Sequence, residues 1–428
     1  MDFNPSPRAA DLTARVRSFI DSEIAPIEMD FHHDIERRRF AGEDSWAPSS
    51  VLGELQTKAR EQGLWNLFLP AGHEMDYAER FGTDGGTGLT NVDYAPIAEQ
   101  MGRSFIAPLV FNCNAPDTGN MEVLLKYGSA EQRDQWLEPL LDGRIRSAFL
   151  MTEPGVASSD ATNMEARAEV VGDEIVLNGR KWWSSGAGHP DCEVAIYMAL
   201  TDPTAHKYQQ HSMVLVPMKA DGVKVERNLT AFGEFDEPLG HSEVSLTDVR
   251  LPLSAVIGGP GRAFEIAQGR LGPGRVHHCM RLIGLAERCL ELACERATTR
   301  VAFGKPLANL GGNRERLAEA RIKINQARLH VLHAAWKLDE GGPLAARSEV
   351  AEIKAAVPKM ACEVVDMALQ LHGGAGVSSD LPFVGAWANA RSLRLADGPD
   401  EVHLGTVARQ LLKPYVAAAA EARAGAEQ

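Results

Sequence analysis

Apolar positions change their period twice along the chain. Over residues 7 to about 147 they recur at helical spacing: Leu12, Val16, Phe19 and Ile20 share one face behind Pro7, whose fixed φ suits a first helical turn. Further helical stretches are predicted over 51–67, 93–101 and 121–127, with the glycine-rich piece 82–88 as a loop. Over residues 149 to about 256 the period shortens to two. Ala166, Ala168 and Val170 alternate with charged residues, Gly172-Asp173 turns the chain, and Ile175-Val176-Leu177 returns it. Asn178-Gly179 is a strong hairpin signal, so a second turn is expected there. Short strands are predicted again in VAIYMAL, MVLVPM, VKVE and SEVSLTDVRL.

From Arg262 onward the helical period returns in long runs. Leu317, Ile324, Val331 and Leu338 recur every seven residues, with Ala320, Ala327 and Ala334 each three later. Large and small rows side by side allow close helix packing, as in an antiparallel bundle. Pro358 is expected to start or kink a helix, and the tail after Pro414 has no core-forming pattern and is expected to fray. The pattern predicts an α+β protein: an N-terminal helical domain over 1–147, a middle β-barrel or sandwich over 148–256, and a C-terminal helical bundle over 257–428.

Composition narrows the function classes. A net charge of −14 argues against a nucleic-acid partner, whose phosphates need a basic face. No stretch has the length and apolarity of a membrane span or a secretory leader, so no membrane insertion is expected. The six cysteines include no Cys-x-x-Cys pair, which suggests neither zinc nor a disulfide framework. The expectation is a reduced, metal-free, cytoplasmic protein.

One carboxylate stands out. Asp397 directly precedes Gly398-Pro399, which breaks a helical run before Asp400-Glu401-Val402 restarts it. A carboxylate on such a break can project into a cavity and, in apolar surroundings, serve as a base. By itself Asp-Gly-Pro is more often an ordinary turn. Upstream lie FLMTEPGVASSDATN, NGRKWWSSGAG, TTRVAFGKPL and QLHGGAG, in that order ahead of ADGPDEVH. Together these segments resemble the acyl-CoA dehydrogenase family of flavoenzymes over residues 12 to about 412. IKAAVPKMA, LHGGAGVSSD and ADGPDEVH are most similar to the branch typified by family members ten and eleven.

The resemblance implies three domains in the order already read, with a four-helix C-terminal domain, and FAD as cofactor. It implies a flavin-binding set of Phe149, Met151, Thr152, Ala157, Ser158, Ser159, Trp183, Ser184 and Ser185, with Trp183 and Ser185 beside the ring and N5. TEPGVASSD carries one residue more than the commoner motif, and anchoring on Asp160 favours Ser159 over Ser158 as the serine touching both flavin and thioester. Arg300 and Phe303 match residues that reach the cofactor of a neighbouring subunit, and Gln370, Gly373 and Gly374 match a further stretch of its binding site. Pro399 and Glu401 replace the threonine and glutamine usual after the base. Pro399 can offer a cofactor only its carbonyl or ring, while Asp400 and Glu401 are candidates to hold it through backbone amides. Asp397 is the implied catalytic base where most members have glutamate, and Arg275 and Gly398 lie with it on the substrate side, as does Ser159.

The implied activity is α,β-dehydrogenation of an acyl-CoA thioester. The implied partners are electron-transfer flavoprotein and further copies of the chain, as a homodimer or homotetramer. Two alternatives stand beside it: a flavin monooxygenase or oxidase on the same scaffold, and an inactive flavin- or CoA-binding protein. Retention of a carboxylate at Asp397 disfavours both.

Overall fold

A computed structural model describes residues 2–70, 77–82, 88–233 and 236–426. These fall into two compact units, one of residues 5–274 and one of residues 275–426 together with residues 2–4. Most of the predicted glycine-rich loop 82–88 lies outside the described residues.

The first unit opens with helices. Pro7–Phe19 starts where Ser6 accepts a hydrogen bond from Ala9 N–H, and it buries Ala9, Leu12, Val16 and Phe19, the predicted face. Further helices follow at Glu28–Ala41, Ser50–Glu61, Asn91–Met101 and Asp117–Tyr127. Then comes one sheet of seven strands: β1 (Arg146–Leu150), β2 (Arg167–Val171), β3 (Glu174–Ser185), β4 (Cys192–Leu200), β5 (His211–Pro217), β6 (Val223–Leu229) and β7 (His241–Pro252). Its order is β1-β4-β2-β3-β7-β6, with β5 added on β4. The sheet curls about an apolar core that includes Leu150, Ile175, Leu177, Tyr197, Val214, Val244 and Leu246.

Gly172-Asp173 does turn the chain, pairing Ala168 with Leu177 across β2 and β3. The expected turn at Asn178-Gly179 is absent. β3 runs straight through it, and the register against β7 slips between Leu177 and Gly179. The side chain of Asn178 accepts from Asp248 N–H, while a Cβ at Gly179 would lie 2.6 Å from both Ala166 Cβ and the Tyr197 hydroxyl. The dipeptide that favours a hairpin here serves a bulge under close packing instead.

In the second unit, Asn313–Ala345 buries Ala320, Ile324, Ala327, Val331, Ala334 and Leu338, and it packs on the helix Arg347–His372. Each large side chain so buried contributes about 1.5–3 kcal/mol. Pro358 neither starts nor ends the second helix, which begins at Arg347 and carries Pro358 buried in its interior. The run predicted to break at Gly398 ends earlier, at Ser392, where helix Phe383–Ser392 gives way to turns. The last helix, Asp400–Ala426, continues through Pro414, so the tail is helical even though its surface is exposed.

Candidate active site

Asp397 stands between helices Phe383–Ser392 and Asp400–Ala426 with φ +55°. Aspartate is among the few residues that tolerate this left-handed region, and glycine at 398, with φ +99°, continues the turn. Three basic side chains hold that turn by its carbonyls. Arg275 Nε donates to the Asp397 carbonyl at 3.0 Å, and His403 Nε2 lies 3.2 Å from the same oxygen. Lys354, fully buried on the helix Arg347–His372, donates to the carbonyls of Leu393, Ala396 (2.8 Å) and Gly398 (3.5 Å). The backbone is therefore clamped while the carboxylate stays partly accessible. His278 Nε2 lies 3.5 Å from its Oδ2.

Burial pushes Lys354 and Arg275 below their ordinary values, with the Asp397 charge among the groups opposing this. Burial also pushes His403 down from 6.5 to about 4, reinforced by the Arg275 and Lys354 cations. Between those two values the unfolded chain binds a proton that the folded chain does not. Stability is therefore full above pH 6.5 and falls as pH drops towards 4, by on the order of 3 kcal/mol from this group. His403→Gln, which retains a donor, should lose much less stability between pH 7 and 4.5 than the wild type in urea unfolding. An unchanged pH dependence would show that His403 is not buried neutral.

The residues after Asp397 are engaged in the fold. The Pro399 carbonyl receives the N–H groups of Val402 and His403, which leaves only the ring for a cofactor. Asp400 N–H goes to the Arg394 carbonyl, and its Oδ2 takes Arg394 Nε and Nη2 at 2.8 and 2.7 Å. The expected amide of Asp400 is thus already spent, and its carboxylate faces an arginine rather than the helix amides. Glu401 is exposed. Elsewhere in this unit, Arg300, Phe303 and Gln370 are exposed. Gly373, with φ +61°, ends its helix, and Cβ atoms at Gly373 and Gly374 would meet open space, so a ligand can approach the backbone. His372 is buried, bonds the Ala368 carbonyl and packs on Phe383.

The other predicted residues belong to the first unit. Phe149 is the penultimate residue of β1, with the Arg270 guanidinium 3.9 Å over its ring. The carbonyls of Met151 and Thr152 are taken by Lys181 Nζ and Trp182 N–H, so their N–H groups and the Thr152 hydroxyl are what they can offer. Lys181, fully buried and pushed down to about 8 by that burial, also meets Glu153 at 2.7 Å. Glu153 in turn takes the amides of Glu165 and Ala166, which ties the loop after Thr152 to the sheet. Ser158 is used inside that loop, accepting from Glu153 N–H at 2.8 Å. Ala157 and Ser159 are exposed.

At the end of β3, Trp183 sits at φ +52°, 42% exposed and edge-on to His241. Ser185 Oγ lies 2.8 Å from His241 Nδ1, and burial pushes His241 below its ordinary value. Ser184, expected beside the flavin, is fully buried between them, its hydroxyl without a hydrogen-bond partner among the described residues. Strand alternation turns it inward. Within the first unit an outward indole, a histidine-held hydroxyl and the amides at 151–152 have the chemistry a flavin ring needs, and within the second unit the open glycines at 373–374 have the exposed backbone that a phosphate needs. Among the described residues no cluster could hold a metal ion, and no helix is long and apolar enough to cross a membrane.

Residues 6–144, 148–249 and 261–412 match the N-terminal, middle and C-terminal domains of acyl-CoA dehydrogenases. The chain belongs to the acyl-CoA dehydrogenase family. It is 48% identical to "Probable acyl-CoA dehydrogenase FadE2" of Mycobacterium tuberculosis, over 96% of each chain. It is 50% identical to mouse acyl-CoA dehydrogenase family member 10, over 95% of this chain and 37% of the relative. The chain spans only a third to a half of such longer relatives. A solved Mycobacterium abscessus structure assigned to the acyl-CoA dehydrogenases superposes with a TM-score of 0.91 at 62% identity, covering 96% of this chain and all of that one. The fold is that of the family, helical, sheet and helical in order.

Proposed function

We propose that the protein is an FAD-dependent dehydrogenase that introduces a double bond between the α- and β-carbons of an acyl-CoA thioester. The observation that carries this reading is Asp397: a partly accessible carboxylate on a left-handed turn whose carbonyls are clamped by Arg275, His403 and Lys354. The cofactor is FAD, and the structure of PigA, a protein of the same fold at 25% identity, holds it. Bound FAD supplies, at N5, the acceptor for the hydride that leaves the β-carbon.

The chain's own residues do the rest. Asp397 takes the α-proton, and its backbone N–H donates to the thioester oxygen, where negative charge grows. Met151, Thr152, Trp183 and Ser185 serve the flavin ring, and Ser159 the serine contact. Gln370, Gly373 and Gly374 serve the nucleotide half. Electron-transfer flavoprotein is the proposed acceptor of the electrons. Anaerobic addition of straight- and branched-chain acyl-CoAs should bleach the bound flavin stoichiometrically. Absence of bleaching by any of them would overturn the proposal, whereas bleaching followed by rapid reoxidation in oxygen with release of hydrogen peroxide would favour an oxidase.

Arg300 and Phe303 serve the cofactor of a second copy. Phe303 is 95% exposed at φ +51°, on the tight turn joining Val301–Ala302 to Lys305–Pro306, which supports a contact made in an assembly. Light scattering should find at least a dimer in the flavin-loaded protein, and a flavin-loaded monomer at micromolar concentration would exclude this role.

A further inference from the structure

The shorter aspartate raises a question of aim, and the helix Ala263–Thr299 carries the residues that answer it. Arg275, His278 and Arg281 follow one another at three-residue intervals, so they line one face of that helix. Arg275 takes the backbone carbonyl of Asp397. His278 places Nε2 3.5 Å from Asp397 Oδ2. Arg281 Nη2 lies 3.3 Å from His278 Nδ1.

A guanidinium can only donate, so Nδ1 must accept and carry no proton. In the neutral ring the proton then sits on Nε2, the nitrogen that faces the carboxylate. Protonating both nitrogens would set a donor against Arg281 and add a cation to a neighbourhood that, among the described residues, holds Arg275, Arg281, Lys354 and Arg394 beside Asp397 and Asp400. Burial holds His277 and His403 neutral, so neither changes this balance.

The turn itself cannot capture the carboxylate in the usual way. An aspartate side chain commonly bonds the amide two residues on, but Pro399 has none. The next amide, of Asp400, is given to Arg394. The separation of 3.5 Å is long for a hydrogen bond, as is common before substrate draws a site together.

We propose that His278 is a positioning residue: its Nε2–H donates to Oδ2 of Asp397 and aims Oδ1 at the substrate, and Arg281 fixes the tautomer that allows this. The inference rests on Asp397 being the base. The donor favours the ionised carboxylate, which alone can accept the α-proton as the C–H bond breaks.

The test uses the FAD-loaded full chain, with flavin reduction by acyl-CoA followed anaerobically against pH. His278→Phe should slow reduction at neutral pH on the order of tenfold and move its acid limb to higher pH, with FAD content and thioester affinity unchanged. His278→Gln places an amide N–H near Nε2 and should recover much of the rate and the wild-type limb. Arg281→Met should move both in the His278→Phe direction by a smaller amount. Wild-type rate and limb in His278→Phe would overturn the proposal. So would a slowed His278→Phe whose limb does not move and which His278→Gln fails to rescue, since that is the mark of packing alone. An Asp397→Asn control separates the two layers. Bleaching in that control removes the base assignment itself, whereas a dead control beside an unaffected His278→Phe removes only the role of His278.

Discussion

Asp397→Asn should bind FAD and acyl-CoA yet reduce its flavin on the order of 10²–10⁴ times more slowly than the wild type. Asparagine has nearly the same shape and also tolerates a φ of +55°, so the turn should survive. The contacts that hold it, from Arg275 and His403 to the carbonyl of residue 397, do not involve the side chain at all. What disappears is a group able to accept the α-proton, and among the described residues neither of the carboxylates next along the chain is placed to substitute. Asp400 is pinned by two contacts to Arg394, and Glu401 is exposed on the helix that follows. Asp400→Asn should therefore keep most of the activity, losing only part of that ion pair. Stopped-flow bleaching of both variants decides the matter. Rapid reduction in Asp397→Asn with loss in Asp400→Asn would move the base three residues along the chain. Rapid reduction in both would place it on another element.

The parts of this arrangement that were readable in the sequence are those with a local signal. The seven-residue row from Leu317 to Leu338, with its alanine row beside it, follows from periodicity alone, and the structure buries almost all of it. Gly398-Pro399 drew attention to Asp397, although the helix before it already ends at Ser392. Asn178-Gly179 misleads because two structures want the same backbone freedom: a hairpin turn, and a bulge where Ala166 and Tyr197 leave no room for a Cβ. Pro358 does not start the helix as one of its two expected readings had it, because tertiary packing carries the buried proline in the helix interior.

The positioning residues were harder to read, since their partners lie far along the chain. Lys354 stands in IKAAVPKMA, where a lysine reads as part of a solvated helix face, yet its acceptors are carbonyls 39 to 44 residues later. Lys181 and Glu153 likewise join a strand to a loop 28 residues earlier. His278 carried one usable hint, its spacing of three from Arg275. Only the folded chain brings it to a carboxylate more than a hundred residues away.

Lys354 should give the largest effect of any residue that does not touch substrate. Lys354→Met keeps the length and apolar character of the stem, so helix packing is retained. It removes every donor that the lysine gives to Leu393, Ala396 and Gly398, in a site the wild-type side chain fills with no solvent exposure. Hydrogen bonds from a charged donor are worth about 1.5–3 kcal/mol each, and a stranded buried carbonyl costs about 1–3 kcal/mol. Part of this is offset, because a buried lysine is itself costly, as its depressed pKa shows. A net loss of roughly 3 kcal/mol is expected, measured as a lower urea midpoint. The same change frees the turn that carries Asp397, and a displacement of about 1 Å at a reacting group can cost on the order of 10²-fold in rate. Flavin reduction should therefore fall by roughly 10–100-fold in protein that is still folded and yellow, with thioester affinity altered far less. A variant that lost stability but bleached at the wild-type rate would show that the turn is held well enough by Arg275 and His403, and that Lys354 serves the fold alone.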